Sequence, residues 1–260
     1  MALDSASGRT RDISVLISCY NEERSVVPTI QTIATALQRA RVAWEIIVID
    51  DHSQDGSLSA IRKFVETNSN LPVRVHRNEI NRGLVATIFD AAQRADGEYF
   101  WTVAGDNNVD EKTCLALLAH LGSFDLIIPQ VKAYVGRSRS RNFISSAYAT
   151  LVRILSGVSI RYFNGSSIYR RRDLLLYDAE QCGFGYAAYT IIDLIAHGRS
   201  YVEVPVVYSE RVHGKSSALS IKNLRQVTTF FKMLLARRLR SFWSSQTDSP
   251  KISSVEPKVE

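Results

Sequence analysis

The sequence is poor in the features that stabilise small secreted proteins or anchor proteins in membranes. Its three cysteines, Cys19, Cys114 and Cys182, are odd in number and widely spaced, which fits neither a disulfide framework nor a structural zinc site. The chain has no uncharged apolar run of the roughly 18 residues that a membrane span needs. Residues 1–11 also lack the apolar centre of a signal peptide. We therefore expect a globular cytoplasmic protein without a membrane span.

Glycine is missing where nucleotide-binding enzymes commonly need it. The first predicted strand is followed by Ser18-Cys19-Tyr20-Asn21-Glu22-Glu23, which contains neither G-x-G-x-x-G nor G-x-x-x-x-G-K-[ST]. This argues against a dinucleotide oxidoreductase and a P-loop NTPase, whose phosphates require close approach of the backbone. The sequence has no G-x-S-x-G or H-E-x-x-H motif either, so acyl hydrolysis and zinc proteolysis lack support.

Acidic residues are absent from two long windows. Residues 126–172 contain nine Lys or Arg and residues 211–247 contain eight, with no Asp or Glu in either window. The net charge of +6 therefore combines +17 in these windows with −11 elsewhere. Basic blocks of this kind commonly contact phosphates, although a solvated surface is the alternative. We expect no nucleic-acid partner, because no recognisable binding motif accompanies the bases.

From residue 13 to 131, short β-branched runs alternate with segments of helical period, which is typical of βαβ units and a parallel sheet. The predicted strands are Ile13–Ser18, Trp44–Ile49, Val73–His76, Tyr99–Val103 and Leu126–Ile128, with helices at about 23–40, 57–67, 82–95 and 111–121. Later segments, including a basic helix at Arg141–Leu155, a helix near 186–197 and a strand at Tyr201–Tyr208, are expected to complete the sheet and cover the ligand cleft. The predicted class is α/β, with a mostly parallel, Rossmann-like central sheet flanked by helices.

Carboxylates follow two of the predicted strands, as Asp50-Asp51 and as Asp106. Ligands of open α/β sheets bind outside the carboxyl ends of the strands, and crowded carboxylates need a cation or hydrogen-bond donors to compensate their repulsion. Mg²⁺ or Mn²⁺ takes one or two protein carboxylates and completes its shell with substrate phosphates and water. A nucleotide diphosphate would fit such a site. Ordinary turns and helix caps are the alternative for Asp106 and for Asp55-Gly56-Ser57.

The ordered set of motifs over about residues 12–240 resembles family 2 glycosyltransferases of the GT-A fold. The later motifs are similar to the branch that uses polyprenyl phosphate acceptors, the dolichyl-phosphate mannose synthase group. Any single motif is weak evidence, whereas their order is specific. The segments that carry the resemblance are Ile17–Glu23, Val48–Ser57, Asn81–Gly83, Ala104–Asn107, Gly136–Arg141, Asn164–Ser167, Val204–Val206 and Arg211–Ser216.

The resemblance implies a nucleotide-sugar donor at the strand ends and a role for each matching residue. Ser18, Tyr20 and Glu22 would line the base pocket with Gly83 beside them, and Asp51 would accept a hydrogen bond from the base. Asp106 would hold the divalent metal, Mg²⁺ or Mn²⁺, on the diphosphate. Arg211 and Lys215 lie in a late loop that folds over the phosphates in the family. The acceptor phosphate would meet Arg137, Arg139 and Arg141.

Three departures from the family pattern bear on the chemistry. Ala104 replaces the first carboxylate of the common Asp-x-Asp metal motif, so metal binding is expected to be weaker or to use Asp50, Asp51 or Asp110. Ile168 stands where the polyprenyl synthases carry a basic residue, with Arg170, Arg171 and Arg172 just beyond. The Glu-Asp pair that supplies the catalytic base in sugar-to-sugar enzymes is missing from the late helix, whose segment Tyr186–Asp193 contains only Asp193 as an acid. A phosphate acceptor does not need that base, because it is already mostly ionised at neutral pH.

Residues 219–243 place apolar residues at helical spacing with basic residues between them. Such an amphipathic helix can lie in the headgroup region of an anionic membrane, and packing against the protein's own core is the alternative. Recruitment by a membrane-embedded partner protein is also open. The predicted organisation is a disordered stretch at 1–11, a GT-A domain at 12–218, the amphipathic helix at 219–243 and a disordered tail at 244–260.

The sequence thus predicts an inverting, metal-dependent glycosyltransferase that moves a hexose from a nucleotide diphosphate sugar, such as GDP-mannose or a UDP-hexose, to polyprenyl phosphate. We expect it to be cytoplasmic and peripherally attached to the inner face of the membrane. One alternative keeps the fold and the donor but has a saccharide or glycolipid hydroxyl as acceptor, with Asp193 as a candidate base. Another is a catalytically silent nucleotide-sugar-binding partner in a glycosylation complex.

Overall fold

The computed structural model describes residues 11–135, 139–163, 165–177, 185–209, 228 and 230–235. Within these ranges the predicted alternation of strands and helices is confirmed, and most boundaries shift by a few residues. The elements in chain order are β1 (Arg11–Cys19), α1 (Val26–Ala40), β2 (Trp44–Asp50), α2 (Ser57–Thr67), β3 (Val73–Arg77), α3 (Leu84–Arg94), β4 (Gly97–Ala104), α4 (Glu111–Leu118), β5 (Leu126–Val135), α5 (Arg139–Ser156), β6 (Ile168–Arg170), α6 (Arg171–Leu174), α7 (Tyr186–Ala196) and β7 (Tyr201–Ser209).

The described strands form one seven-stranded sheet in the order β3-β2-β1-β4-β6-β5-β7. β1 pairs in parallel with β2 and β4, β2 with β3, and β5 with β7, whereas β6 is antiparallel to both of its neighbours. Two antiparallel steps bring β5 back to the direction of β4. The carboxyl ends of all strands except β6 therefore lie at the same edge of the sheet, which we call the carboxyl edge. The chain reverses its winding at β1, and a ligand crevice is expected beside such a switch point.

Both faces of the sheet are covered, which explains why its central strands are apolar almost throughout. Ile13, Val15 and Ile17 of β1 point into a core beneath α1 and α4, and Leu16 points into a second core beneath α3, α5 and α7. Helix α1 contributes a stripe at helical spacing, Val26, Ile30, Ile33 and Leu37, each at most 1% exposed.

The second half of the chain completes the sheet, as predicted. Short β6 inserts between β4 and β5, where the indole N–H of the fully buried Trp101 donates to the Ser166 carbonyl at 2.8 Å. Because β6 is antiparallel, Arg170 lies opposite Tyr99, near the start of β4. Arg170 pairs there with Glu98 and Asp125. This places Arg170 at the edge remote from the carboxyl edge, so its position does not favour a contact with substrate phosphate.

The helical residues 230–235 decide part of the question about the C-terminal amphipathic segment. Phe230 and Leu234 are only 5% and 2% exposed and belong to the core beneath α5 and α7. The Phe231 ring meets the Tyr148 ring of α5 edge-on at 5.7 Å. For this face of the segment, the alternative of packing against the protein's own core is thus confirmed. Leu235 remains 48% exposed.

The rest of residues 219–243 lies outside the described residues apart from position 228, as do residues 1–10 and 244–260. The division of the chain proposed from the sequence therefore stays a prediction. In the part of the chain that the structure describes, no helix is both long and apolar enough to cross a bilayer.

A buried carboxylate ties together the strand starts at the edge opposite the candidate site. Glu45 of β2 is fully buried and accepts hydrogen bonds from the Ser14 hydroxyl at 2.6 Å and the Asp96 N–H at 2.8 Å. It also pairs with Arg11 at 2.7 Å and with Arg74 at 2.5 Å. Burial by itself raises the pKa of this carboxyl, but these hydrogen bonds and guanidinium charges outweigh it and leave the pKa below its ordinary value of 4.5.

We expect Glu45→Gln to lower the free energy of unfolding by about 1–3 kcal/mol at neutral pH, because an amide loses the charge that both arginines face. The pKa is depressed in the folded state, so this stabilisation is complete above the ordinary pKa and is lost as the pH falls through the folded value. Urea unfolding from pH 7 down to pH 3 measures the difference. Glu66→Gln on the exposed side of α2 is the matched control, and a Glu45→Gln deficit unchanged by pH would contradict the assignment.

Candidate active site at the carboxyl edge of the sheet

The strand register brings three loops side by side at the carboxyl edge. Cys19 at the end of β1 lies opposite Asp50 at the end of β2, and Ser18 lies opposite Ala104 at the end of β4. The residues that follow these strands contain most of the predicted donor-site residues. These loops converge because the strands pair in parallel, and their convergence does not depend on contacts between side chains.

Side chains link the first loop to the second. The Asn21 N–H donates to Ser53 Oγ and the Glu22 N–H to Ser57 Oγ, both at 2.9 Å. In return Asn21 Oδ1 accepts the Gln54 N–H at 2.8 Å. Asn21 has φ 57°, a left-handed conformation that asparagine tolerates better than most residues. The loop that carries Tyr20 and Glu22 is therefore held in place before any ligand arrives.

Asp51 organises a third segment of the chain. Its carboxylate, only 5% exposed, accepts the Asn78 side-chain N–H at 2.7 Å and the backbone N–H groups of Arg82 and Gly83 at 2.8 Å each. Its own N–H donates to the Cys19 carbonyl at 2.8 Å. One residue thus joins the ends of β1 and β2 to the loop after β3. Gly83 has φ 82°, so it suits this position because glycine adopts that conformation without strain.

The neighbouring carboxylate, Asp50, has a different role. It is fully buried, and its Oδ2 lies 3.6 Å from the Arg77 guanidinium and accepts the Ser53 N–H at 3.3 Å. Asp110, which also came into question as a metal ligand, caps α4 by accepting the Thr113 N–H at 2.8 Å. Each of Asp50, Asp51 and Asp110 thus has a hydrogen bond or an ion pair to a protein donor, although Asp50 Oδ1 is buried without a hydrogen-bond partner among the described residues.

The loop after β4 holds Asp106 in a tight turn. The Gly105 N–H donates to the Ser18 carbonyl at 2.9 Å, and a Cβ at Gly105 would lie 3.1 Å from that oxygen. Beyond it, Asn107 takes a left-handed φ of 54° and donates its N–H to Thr29 Oγ1 at 3.0 Å. These contacts keep the Asp106 carboxylate 5% exposed, at the switch point between β1 and β4.

Asn108 lies close to Asp106 in the same candidate loop, and the sequence predicted no individual role for it. Its side-chain N–H donates to Asp106 Oδ2 at 3.5 Å, and its buried Oδ1 has no hydrogen-bond partner among the described residues. A buried carbonyl oxygen without a donor needs a partner, and carboxylate and amide oxygens are ligands that hard divalent cations accept. The amide turns its N–H toward Asp106, so the two residues fit a metal that takes its other ligands from substrate and water once the amide presents its oxygen to the same side. The described residues contain no group of three or more His, Cys, Asp or Glu able to hold a metal by themselves.

The cysteine at this edge does not serve as a nucleophile. Burial, reinforced by the charge of Asp50, raises the pKa of the Cys19 thiol to about 11. The thiol is therefore protonated at neutral pH, and only a thiolate is a competent nucleophile.

The structure brings together at the carboxyl edge every predicted donor-site residue that it describes: Ser18, Tyr20, Glu22, Asp51, Gly83 and Asp106. Tyr20 is 48% exposed there. Arg137, Arg211 and Lys215 lie outside the described residues, and Arg139 and Arg141 stand at the start of α5, with their side chains outside the description. Ser53, Ser57 and Asn108 lie in segments that the sequence singled out, but no individual role was predicted for them, and Asn78 was missed.

The candidate base Asp193 is engaged within its own surroundings. Its Oδ2 accepts the Tyr177 hydroxyl at 2.8 Å and lies 3.4 Å from His197 Nδ1. Both contacts connect α7 to nearby residues of the second half of the chain. These contacts explain the position of the Asp193 carboxylate as a structural one, without a role in proton transfer.

The mostly parallel sheet, the cluster of loops at its carboxyl edge and Asp106 beside its switch point define an α/β domain of the class that binds ligands at that edge. The model of the family "Glycosyl transferase family 2" matches residues 14–190, and the chain belongs to this family. This confirms the resemblance drawn from the motifs.

Two curated relatives are similar to this chain. The dodecaprenyl-phosphate galacturonate synthase of Rhizobium johnstonii is 28% identical over 61% of this chain and 48% of its own length. The undecaprenyl-phosphate 4-deoxy-4-formamido-L-arabinose transferase of Aeromonas hydrophila is 26% identical over 78% of this chain and 62% of its own length. The chain thus spans about half of the first relative and less than two thirds of the second.

Solved structures confirm the GT-A fold. A mannosyltransferase from Pyrobaculum calidifontis, in complex with GDP-Man and Mn²⁺, superposes with a TM-score of 0.54 at 16% identity, over 92% of this chain and 76% of its own. The glucosyl-3-phosphoglycerate synthase of Mycobacterium tuberculosis, in complex with Mn²⁺, UDP-Glc and phosphoglyceric acid, gives 0.61 at 17% identity, over 88% and 80%. Identities this low establish the common fold and nothing further.

We expect Asp51→Asn to loosen the loop after β3, because an amide offers one acceptor oxygen where the carboxylate offers two. The loss of an acceptor for Arg82 or Gly83 should cost about 1–3 kcal/mol and speed hydrogen exchange at those two amides. Exchange measured by NMR tests this, with Asp12→Asn as control because Asp12 accepts a single backbone N–H, that of Ala43. Unchanged protection of Arg82 and Gly83 would show that the loop does not depend on Asp51.

Proposed function

We propose that this family 2 domain transfers a hexose from a nucleoside diphosphate sugar to a polyprenyl phosphate. The observation that carries the proposal is the cluster of three loops at the carboxyl edge, with Asp106 at the switch point. The acceptor is proposed from the relatives, which are named for polyprenyl-phosphate products or substrates. The basic windows at 126–172 and 211–247 support a substrate that carries phosphate.

The donor would lie across the ends of β1, β2 and β4. Tyr20 offers an exposed ring at the end of β1, suited to stacking on a base, and Ser18 and Glu22 would complete the base pocket. Asp51, assigned to the base by the resemblance, has its carboxylate bonded to Asn78, Arg82 and Gly83. We propose that it acts there mainly by shaping the pocket wall that contains Gly83.

The diphosphate would lie at Asp106, with Mg²⁺ or Mn²⁺ held by Asp106 and the Asn108 amide oxygen. Such an ion neutralises charge that develops on a departing nucleoside diphosphate. Ala104 removes the other carboxylate of the usual motif, and Asn108 would take its place as a neutral ligand. Two structurally similar enzymes hold Mn²⁺ together with a sugar nucleotide, which is in keeping with a divalent ion here.

The chemistry requires one in-line displacement at the anomeric carbon, with inversion. The acceptor phosphate oxygen forms the new bond, and the nucleoside diphosphate leaves with the electron pair of the old one. Arg211 and Lys215 would meet the leaving group, and Arg137, Arg139 and Arg141 the acceptor phosphate. Cations placed where charge develops stabilise the transition state more than the ground state.

A phosphate acceptor also explains why a general base is dispensable. An acceptor hydroxyl must lose its proton during attack, whereas a phosphate monoester is largely ionised at neutral pH. The one carboxylate considered for the role, Asp193, is bonded to Tyr177. Transfer to a saccharide or glycolipid hydroxyl would need a base from elsewhere in the chain. A silent sugar-nucleotide-binding partner would need neither a base nor the metal.

We further propose that the enzyme works in the cytoplasm at the inner face of the membrane, where a lipid-linked acceptor presents its phosphate. Attachment would be peripheral, through basic segments that meet anionic lipid, or through a membrane-embedded partner protein.

We expect Asp106→Ala to abolish Mn²⁺-dependent binding of UDP- or GDP-hexoses in calorimetry and to lower transfer at least about 100-fold. Asn108→Ala should weaken Mn²⁺ binding about tenfold and leave the fold intact. Asp110→Asn is the matched control from the same loop, because asparagine also caps helices well. Donor binding that needs no metal, or that survives Asp106→Ala, would favour the silent binding partner.

The acceptor is tested with labelled nucleotide sugars and two lipids of equal chain length, a polyprenyl phosphate and the corresponding free polyprenol. We expect a lipid-linked product from the phosphate alone, and Asp193→Asn should change its rate by less than about twofold, because a true general base contributes about 10²–10⁴-fold. Product from a hydroxyl acceptor with loss of activity in Asp193→Asn would overturn the phosphate assignment.

A further inference from the structure

Helix α5 presents an apolar face that nothing in the described part of the chain covers. Its inner face, with Ala149 and Val152, packs into the core. The opposite face exposes large apolar side chains in successive turns. These are Phe143 (75% exposed), Ile144 (53%), Leu151 (43%) and Ile154 (65%), with the exposed Ala147 between them.

Positions 143, 147, 151 and 154 follow the spacing that places side chains on one side of a helix. We call them, with Ile144, the apolar stripe. A contiguous stripe of this kind marks an interaction surface, whereas single exposed apolar residues are ordinary.

The charge around the stripe restricts what can cover it. Helix α5 contains Arg139, Arg141 and Arg153 and no acidic residue, and the whole window 126–172 contains none either. A symmetric contact with a second copy would bring the same basic surface against itself, which like charges oppose. The chain's own residues 211–247 are equally basic and acid-free, so they complement α5 poorly.

The C-terminal segment already has a different place beside α5. Phe230 and Leu234 of that segment are buried in the core with Ala149 and Val152, and Phe231 meets Tyr148 on the flank of the helix. The described part of the segment, residues 230–235, thus packs on the inner side of α5 and not on the stripe.

An apolar stripe flanked by arginine, without acids, is the pattern of helices that lie in the headgroup region of anionic bilayers. We propose that α5 is a membrane-docking surface, with its apolar stripe entering the interface of an anionic leaflet. This inference rests on the proposed function, because the lipid-linked acceptor is what makes a membrane-docking surface necessary.

The topology places this surface where a lipid-linked acceptor would be useful. Strand β5 runs parallel to β4, so the connection from Val135 leaves the sheet at the carboxyl edge and α5 starts there with Arg139. A bilayer met by α5 would present lipid phosphates near the loops that contain Asp106. Docking and catalysis would therefore share one edge of the sheet.

The test is co-sedimentation of the full chain with vesicles of phosphatidylglycerol and phosphatidylethanolamine, compared with vesicles of phosphatidylcholine. We expect binding to the anionic vesicles that weakens in high salt. Phe143→Ser combined with Ile154→Ser should reduce partitioning at least about tenfold, because two of the most exposed apolar groups are lost. Leu176→Ser is the matched control, since Leu176 is 70% exposed outside α5.

Three results would overturn the proposal: no binding of the wild-type chain to anionic vesicles, undiminished binding of the double variant, or a dimer in light scattering that the double variant abolishes. Phe143→Trp adds a local readout, because brominated lipid should quench its emission beyond the quenching seen for the wild type. Calorimetry of donor binding on the same proteins separates the two claims, since the double variant should bind donor normally. Failure of donor binding in the wild type would instead reject the proposed function.

Discussion

The hydrogen bonds of Asp51 hold together the edge of the sheet on which the candidate site depends. The backbone of this residue joins β2 to β1 through the Cys19 carbonyl, and its buried carboxylate gathers the loop after β3 through Asn78, Arg82 and Gly83. A buried carboxylate is costly unless hydrogen bonds or opposite charges compensate it. The pocket wall is therefore set by the cost of leaving this charge unsatisfied, and no ligand is needed to form it.

The carboxylates at this edge have different surroundings. Asp50, Asp51 and Asp110 are bound to Arg77, to loop amides and to the first turn of α4. Asp106 lies in a turn fixed by the N–H groups of Gly105 and Asn107, and its Oδ2 accepts the side-chain N–H of Asn108. This arrangement suits an enzyme that recruits a metal together with its substrate, since a prebuilt metal cage would need several carboxylates facing one point.

The distribution of charge has a corresponding geometry. Acidic groups gather at the ends of β2 and β4, whereas the long basic window passes through β5, α5 and β6. The antiparallel direction of β6 carries Arg170 to the remote edge, while the parallel direction of β5 brings the start of α5 to the carboxyl edge. The proposed substrates, a donor and an acceptor that both carry phosphate, would lie between the loop that contains Asp106 and the basic start of α5.

Periodicity and composition were sufficient to predict most of the elements, but not the short β6 and α6. Apolar positions predict which residues are buried, as in the β-branched run Ile13–Ser18 and in the helical stripe from Val26 to Leu37. The order of the motifs identified the family. The prediction that residues beyond 131 complete the sheet also follows from their inability to form a separate βαβ domain. Local patterns of this kind are sufficient for an α/β fold because both faces of its sheet are buried.

The sequence alone determined which residues gather at the carboxyl edge, because parallel strands end side by side. Only the tertiary structure decided what each does: that Asp51 binds a loop 30 residues away, that Asn108 Oδ1 lacks a partner, and that Arg170 faces the wrong edge. It also decided that Phe230 and Leu234 are buried while Phe143 and Ile154 of α5 remain exposed. The physical reason is that hydrogen-bond partners and the covering of an apolar face depend on segments distant in sequence, and a local pattern contains no information about them.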